Sequence, residues 1–508
     1  MKRILSIALA LLFIVCMMSG CNEGGAGMDS GETVVSVNDT LNVVVRDDAN
    51  QFSPYITNSF SDIMSIYQIY ERLVEIKNGD VVPGLASSWE VSEDGLTITF
   101  HLREGATFHN GAECSSEDVL YSFEKQMENS SSLKSKIDSI SAPDEQTVII
   151  KTPYPCASIF NSLSTPGTSI VCKSYVEEQG DDAFIHPVGS GAYQLKEWVK
   201  GSKICFEAYE DYNGEKAKIK YLNFNIISDT STALVAMENG NDDFMIGAAA
   251  SDASLIEAND NLVMETAPSH SMAQLYLNLQ QGIFTNEKLR QAVACAIDRE
   301  AINISAFEGT GQIAKGCFDD FLCYDGKDYT YAYDLDRAKA LLAEAGYPDG
   351  GFAFTIKTAD VYGDVVPQII MENLKQVGIE VKIEVLEIGA HSQDWLNANY
   401  EVIYSAGSSI TPDLSESLYG EYYSDNVWSP SAQDDGRFDE RLDEMRYTVD
   451  NTQKTELACS ILADILAEAG EIPLIVQTTN IVYQKGLQVT QIDPNGMFYQ
   501  FKDFSWND

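Results

Sequence analysis

The sequence predicts an α/β protein of two lobes. Two strand–helix–strand successions about 130 residues apart, in a chain of 508 residues, carry that prediction. A chain this long accommodates two or three domains with ample cores. The first succession runs from a strand at 221–227 through a helix at 229–239 to a strand at 243–246. In the second, a strand at 352–358 precedes a helix at 365–377, with Gly378 as its C′ residue. Ile379, Val381, Ile383 and Val385 then alternate with Glu380, Lys382 and Glu384, which is the period of a strand. Each trio implies parallel strands joined by a crossover helix. Their separation predicts two α/β lobes rather than one continuous sheet.

The remaining elements follow from local signals. Residues 41–45 (LNVVV) read as the first strand. Ile63, Ile66, Tyr67, Tyr70, Leu73 and Val74 recur at helical spacing. Residues 97–102 and 147–151 are β-rich. Between them Val119, Leu120, Phe123 and Met127 form an amphipathic stripe, with Ser115 and Ser116 as candidate caps. A helix at 287–304 carries Leu289, Val293, Ala296 and Ile297 on one face. Another at 335–345 has Asp334 as N-cap, Gly346 at C′ and Pro348 beyond. There is no internal repeat.

The N-terminus reads as an address. Lys2 and Arg3 precede an apolar run at 4–18, and small residues lead to Met18-Ser19-Gly20-Cys21. This is the pattern of a secretory signal, here 1–20, with a run too short to span a bilayer comfortably. The Cys at the cleavage point resembles the lipobox of bacterial lipoproteins, which implies lipidation of Cys21; a plain signal peptide with an incidental Cys is the alternative. Residues 21–40 are then a lipid-anchored flexible linker, rich in Gly, Ser and acids. No later stretch approaches membrane length.

The formal charge is −44, from 77 acids against 33 bases. Loss of Lys2 and Arg3 with the signal leaves 31 bases and a charge of −46. Such a surface repels phosphate backbones, which argues against a nucleic-acid partner. Ten cysteines are present. Once Cys16 and Cys21 are set aside, Cys114, Cys156, Cys172, Cys205, Cys295, Cys317, Cys323 and Cys459 remain. Disulfides, with Cys317 and Cys323 nearest in sequence, and buried free thiols both fit. No C-x-x-C occurs.

No catalytic constellation is visible. The chain lacks H-E-x-x-H, G-x-S-x-G, the Walker A loop and G-x-G-x-x-G. Gly189-Ser190-Gly191 lacks the elbow spacing and reads as a hairpin or hinge. None of the five histidines (His101, His109, His186, His270 and His391) stands at i, i+2 or i+4 from another, as a compact metal site often requires. His101 and His109 read as structural. No metal and no cofactor are expected.

Residues 70–124 supply a resemblance. Tyr70-Glu71, the stretches 82–89 and 94–111, and 117–119 match, in order, Y-E-x-L-V, V-P-x-L-A-x-S-W, D-G-x-x-x-x-F-x-L-R-x-G-x-x-F-H-x-G and a small or acidic pair before D-V. Further on, 187–193 resembles P-x-G-T-G-P-Y, 289–299 resembles L-R-Q-A…A-I-D-R, and 334–348 resembles D-x-x-x-A-K-x-L-L-x-E-A-G-Y-P. These residues resemble the solute-binding proteins of the peptide/nickel class of ABC importers, the oligopeptide- and dipeptide-binding family.

The resemblance implies a two-lobed, periplasmic-binding-protein-like (type II) fold with an extra subdomain in the first lobe. The implied layout is lobe 1 at 41–270, with the subdomain at about 60–185, lobe 2 at 271–475 and a return segment at 476–508. Trp89, Phe100, Leu102 and Phe108 are expected to pack the subdomain, and Arg103 to hold a turn or an ion pair. The cleft is implied near Tyr55, Asn58, Phe60 and Met64, near Tyr276 and Asn278, and along 405–413, including Ser408. In peptide binders this last stretch carries a G-W-x-x-D-x-x-D-P-like run whose Asp pairs with the peptide amine. Here Ser408 follows Gly407 and the run departs. Asp413 is then either the amine partner or the cap of a helix starting near Leu414. Trp395, Tyr404, Tyr419 and Trp428 are candidates for an aromatic wall or for core.

The expected function is capture of di- or oligopeptides and delivery to an ABC permease by a monomer anchored on the outer face of the cytoplasmic membrane. The same fold binding a nickel chelate or another small solute is the alternative, and a surface hydrolase a remote one.

Overall fold

The computed structural model describes residues 39–56, 59–77, 79–409, 412–424 and 436–507. The expectations for the signal peptide, Cys21, most of the linker, Asn58 and Trp428 lie outside these residues.

Both strand–helix–strand trios form. Phe352–Ala359 and Ile379–Leu386 pair in parallel, Phe352 opposite Ile379 through Ala359 opposite Leu386, with helix Val365–Lys375 as the crossover. Gly378 adopts φ +78, the left-handed conformation that ends such a helix without a Cβ penalty. In the other trio, Tyr221–Ile226 and Phe244–Ile246 flank Thr40–Val45, each parallel to it.

The two trios nevertheless belong to one hydrogen-bonded sheet of eleven strands, which corrects the expectation of separate sheets. Two long antiparallel strands, Leu262–Leu277 and Glu471–Gln484, join the halves. At 16 and 14 residues they far exceed the usual five or six or so. Their ladder loses register between Pro268 and Met272. Proline has no N–H for the ladder, and the Ser269 hydroxyl donates to the Gln477 carbonyl instead (3.0 Å). The interruption separates the stretch of ladder beside Phe244–Ile246 from the stretch beside Val402–Ser408.

Separate cores lie on either side. The first lobe buries an aromatic cluster of Phe206, Phe224, Phe244, Tyr499, Phe501 and Phe504, so the C-terminal segment returns to complete it. The second buries Leu275, Leu289, Val293, Phe354, Ile356 and Ile370. A four-stranded antiparallel sheet, Ala86–Val91, Thr97–Leu102, Thr147–Lys151 and Ser139–Asp144, carries the subdomain core. Phe100, Leu102 and Phe108 are buried there and Trp89 packs against them, as expected.

Two helices differ from their periodicity. The first spans Phe60–Ile69, capped by Ser59 and Asp62 in a capping box. Tyr70 turns extended, so Leu73 and Val74 leave the helix and Val74 begins a strand. The helix expected at 287–304 is two, Glu287–Ala296 and Arg299–Ala306. Asp298 breaks it: its carboxylate accepts from the Ala301 N–H, while its own N–H donates to the Asn373 side chain. The eight cysteines among the described residues are free thiols, all buried except the half-buried Cys323.

Candidate ligand-binding site

Three chain segments meet where the long strands cross between the lobes. Ser271 lies opposite Ser408 and Met272 opposite Gly407. The Ser409 N–H donates to the His270 carbonyl (2.8 Å), and the His270 N–H to the Pro494 carbonyl (3.4 Å). The Ser271 hydroxyl donates to the Ala406 carbonyl (3.2 Å). His270 is buried against the rings of Phe318 and Phe321, with Nε2 2.8 Å from Asp320. That hydrogen bond holds the Asp320 carboxyl below the usual range. The crossing therefore presents short hydroxyl side chains and strand backbone beside a fixed imidazole.

The residues expected to line the cleft take several positions. Tyr55 and Phe60 are half-buried on the first lobe, with Tyr55 edge-on to Phe184 at 5.7 Å. Met64 is fully buried in that lobe's core. Asn278 is fully buried, and its amide is spent on the backbone: it donates to the Ala398 and Tyr400 carbonyls, each at 2.9 Å, and accepts from the Gln280 and Gln281 N–H groups. Tyr404 is buried edge-on to Tyr362. Tyr276 and Trp395 come together at 4.1 Å between ring centroids, beside Tyr400. Ser408 is exposed at the crossing.

Asp413 is 2% exposed and caps helix Leu414–Tyr422, accepting from the Ser415 N–H (2.9 Å) and hydroxyl (2.7 Å). Of its two sequence readings, the cap is the contact the structure contains. Tyr419, on that helix, stacks on Tyr423.

Sequence reasoning did not find the pair Glu421 and Glu471. Glu471 lies opposite Tyr276 on the long strands and accepts a hydrogen bond from the Tyr422 hydroxyl. Burial raises both carboxyls well above the usual range, and the charge of Glu471 raises Glu421 further. Fifty residues of chain separate them, and neither stands in a motif. An acid with a raised native pKa holds its proton longer folded than unfolded. Its stabilising contribution is complete below about 4.5 and is lost as pH climbs through about 7 to 8. Each unit of upward shift corresponds to about 1.4 kcal/mol. The melting temperature should therefore fall between pH 5 and pH 9, and Glu421→Gln should flatten that fall. An identical pH slope in the variant would remove the pair as its cause.

Among the described residues no group of three or more His, Cys, Asp or Glu is placed to hold a metal ion, and no helix is long and apolar enough to cross a membrane. Two lobes joined by crossing strands are the type II periplasmic-binding-protein fold. The profile of the bacterial extracellular solute-binding proteins, family 5 (middle region), matches residues 80–429, and the chain belongs to that family. It is 27% identical to the glutathione-binding protein GsiB of Escherichia coli O1:K1 / APEC over 513 aligned positions, covering 97% of each chain. Among solved structures it resembles HbpA2 of Haemophilus parasuis, with a TM-score of 0.83 and 25% identity over 92% of this chain and 100% of that one. It also resembles the DppA periplasmic binding protein of Helicobacter pylori in complex with the peptide STSA. That match has a TM-score of 0.77 and 26% identity over 93% and 99% of the two chains.

Proposed function

We propose that this chain is the lipid-anchored substrate-binding protein of an ABC importer, capturing peptides between its lobes and delivering them to the permease. The observation that carries the reading is the full-length likeness to a glutathione-binding protein, together with the fold shared with a peptide-bound relative. Glutathione is itself a tripeptide, so both ligands offer amide groups and charged ends.

The crossing suits such a ligand. Strand backbone and the serines around 269–271 and 405–409 match amide donors and acceptors irrespective of side chains. Contacts made with both lobes at once favour the shut form. Of the candidate ligand contacts, Ser408, Tyr55, Phe60 and Trp395 keep enough exposure to fit the reading, whereas Tyr276 is buried. Because Ser408 stands where the peptide-binding pattern departs and Asp413 caps a helix, a nickel chelate or another small solute remains the second reading.

Native purification of the membrane-extracted protein, followed by mass spectrometry, tests both parts. Short peptides should elute with it, and the intact protein should begin at a lipid-modified Cys21. A co-eluting metal-bearing small molecule, with no thermal shift on adding a dipeptide library, would overturn the peptide reading. An unmodified N-terminus would overturn the anchor.

A further inference from the structure

The extra subdomain of the first lobe touches the second lobe through a small, dense interface. A loop at 152–158, between strand Thr147–Lys151 and helix Ile159–Leu163, holds Tyr154 between Pro153 and Pro155. Both prolines fix φ, so the loop arrives preformed. Arg446 of helix Asp439–Tyr447 lies 3.7 Å from the ring centroid of Tyr154 and 3.7 Å from that of Tyr419, clasped between rings of the two lobes. Tyr447 meets the Tyr154 edge at 6.3 Å. The buried Lys454 donates to the Pro155 carbonyl (3.0 Å). The equally buried Lys136 pairs with Glu416 (3.3 Å), whose other oxygen lies 3.8 Å from the Cys156 thiol.

These contacts divide the work of holding the lobes. A buried ion pair gains little over its solvated partners, so Lys136 and Glu416 chiefly dictate which faces meet. The double cation–π contact and the desolvated ammonium–carbonyl bond supply attraction. Glu416 and Tyr419 both sit on helix Leu414–Tyr422, which starts a few residues beyond Ser408.

We propose that this interface is a clasp by which the subdomain holds the second lobe shut and lengthens the residence of a bound solute. The residence part rests on the solute-binding reading above; the holding part does not.

Small-angle scattering of the unliganded protein reads the holding part, and stopped-flow release of a dipeptide or of glutathione reads the residence part. Arg446→Ala and Lys136→Met should each enlarge the radius of gyration and speed release about tenfold, because removing one partner of a desolvated charged contact acts on the off-rate. The double variant Lys136→Met/Glu416→Gln should return both readouts toward wild type, since no unpaired carboxylate remains. Folded single variants with unchanged radius and unchanged release would overturn the clasp. If wild type bound neither probe, the peptide reading would fail while scattering still judged the clasp.

Discussion

Replacing Gly189 by alanine should destabilise the first lobe by about 3 kcal/mol or more, a large share of a typical domain's stability. A Cβ at Gly189 would stand 2.0 Å from the Ile69 carbonyl oxygen, and one at Gly191 2.2 Å from that of Gln68. Both obstacles are backbone at the end of helix Phe60–Ile69, so no side chain can swing aside. The segment is also stitched in place. The Gly191 N–H donates to the Ile69 carbonyl and the His109 N–H to the Gly189 carbonyl, each at 2.8 Å. Making room means breaking such bonds in a buried place, which adds to the cost of overpacking. Ser190→Ala, between the two glycines, should cost less than about 1 kcal/mol, because the buried Ser190 hydroxyl has only the weakly hydrogen-bonding Cys114 thiol to lose. Urea midpoints compare the two. Equal shifts would refute the close-approach argument. The glycines read in sequence as a hairpin or hinge are thus a packing seam.

Arg103→Met should cost about 3–5 kcal/mol, the range for stranding one member of a buried ion pair. One guanidinium nitrogen of Arg103 reaches both oxygens of Glu71 at 2.8 and 3.1 Å. Another donates to the Gly84 carbonyl at 2.7 Å. Glu71 is 2% exposed and also accepts from the Tyr212 hydroxyl (2.9 Å). Without Arg103 its carboxylate would remain in a dry site. The double variant Arg103→Met/Glu71→Gln should recover most of the loss, and denaturant titration measures it. A single variant within about 1 kcal/mol of wild type would show that the pair does not hold this corner. The sequence expectation for Arg103 was a turn or an ion pair, and it makes both.

How far the chain was legible depended on the range of each interaction. The caps at Asp334 and Ser115 and the left-handed Gly378 were readable because each depends on a few neighbouring residues. The subdomain core followed from aromatic residues inside a recognisable motif block. The break at Asp298 was missed because its N–H partner, Asn373, is 75 residues away. The site was the least legible part. Asn278 and Met64, carried over from the family's cleft regions, are taken up by framework packing. Arg446 and Tyr154 carried no signal, because neither periodicity nor spacing reveals a contact between rings on different lobes.

The sequence by itself determined the α/β class, both crossover units, the caps at Ser115 and Asp334 and the family, since these are written in local spacing, capping and motif order. Only the tertiary structure decided that the two units share one sheet, that the eight cysteines among the described residues are unpaired, that Asp413 caps a helix, and that the charge of Glu471 bears on Glu421. Each of these is a pairing of groups distant along the chain or a choice between equally good local partners. Such choices are settled by burial and by which surfaces close on each other.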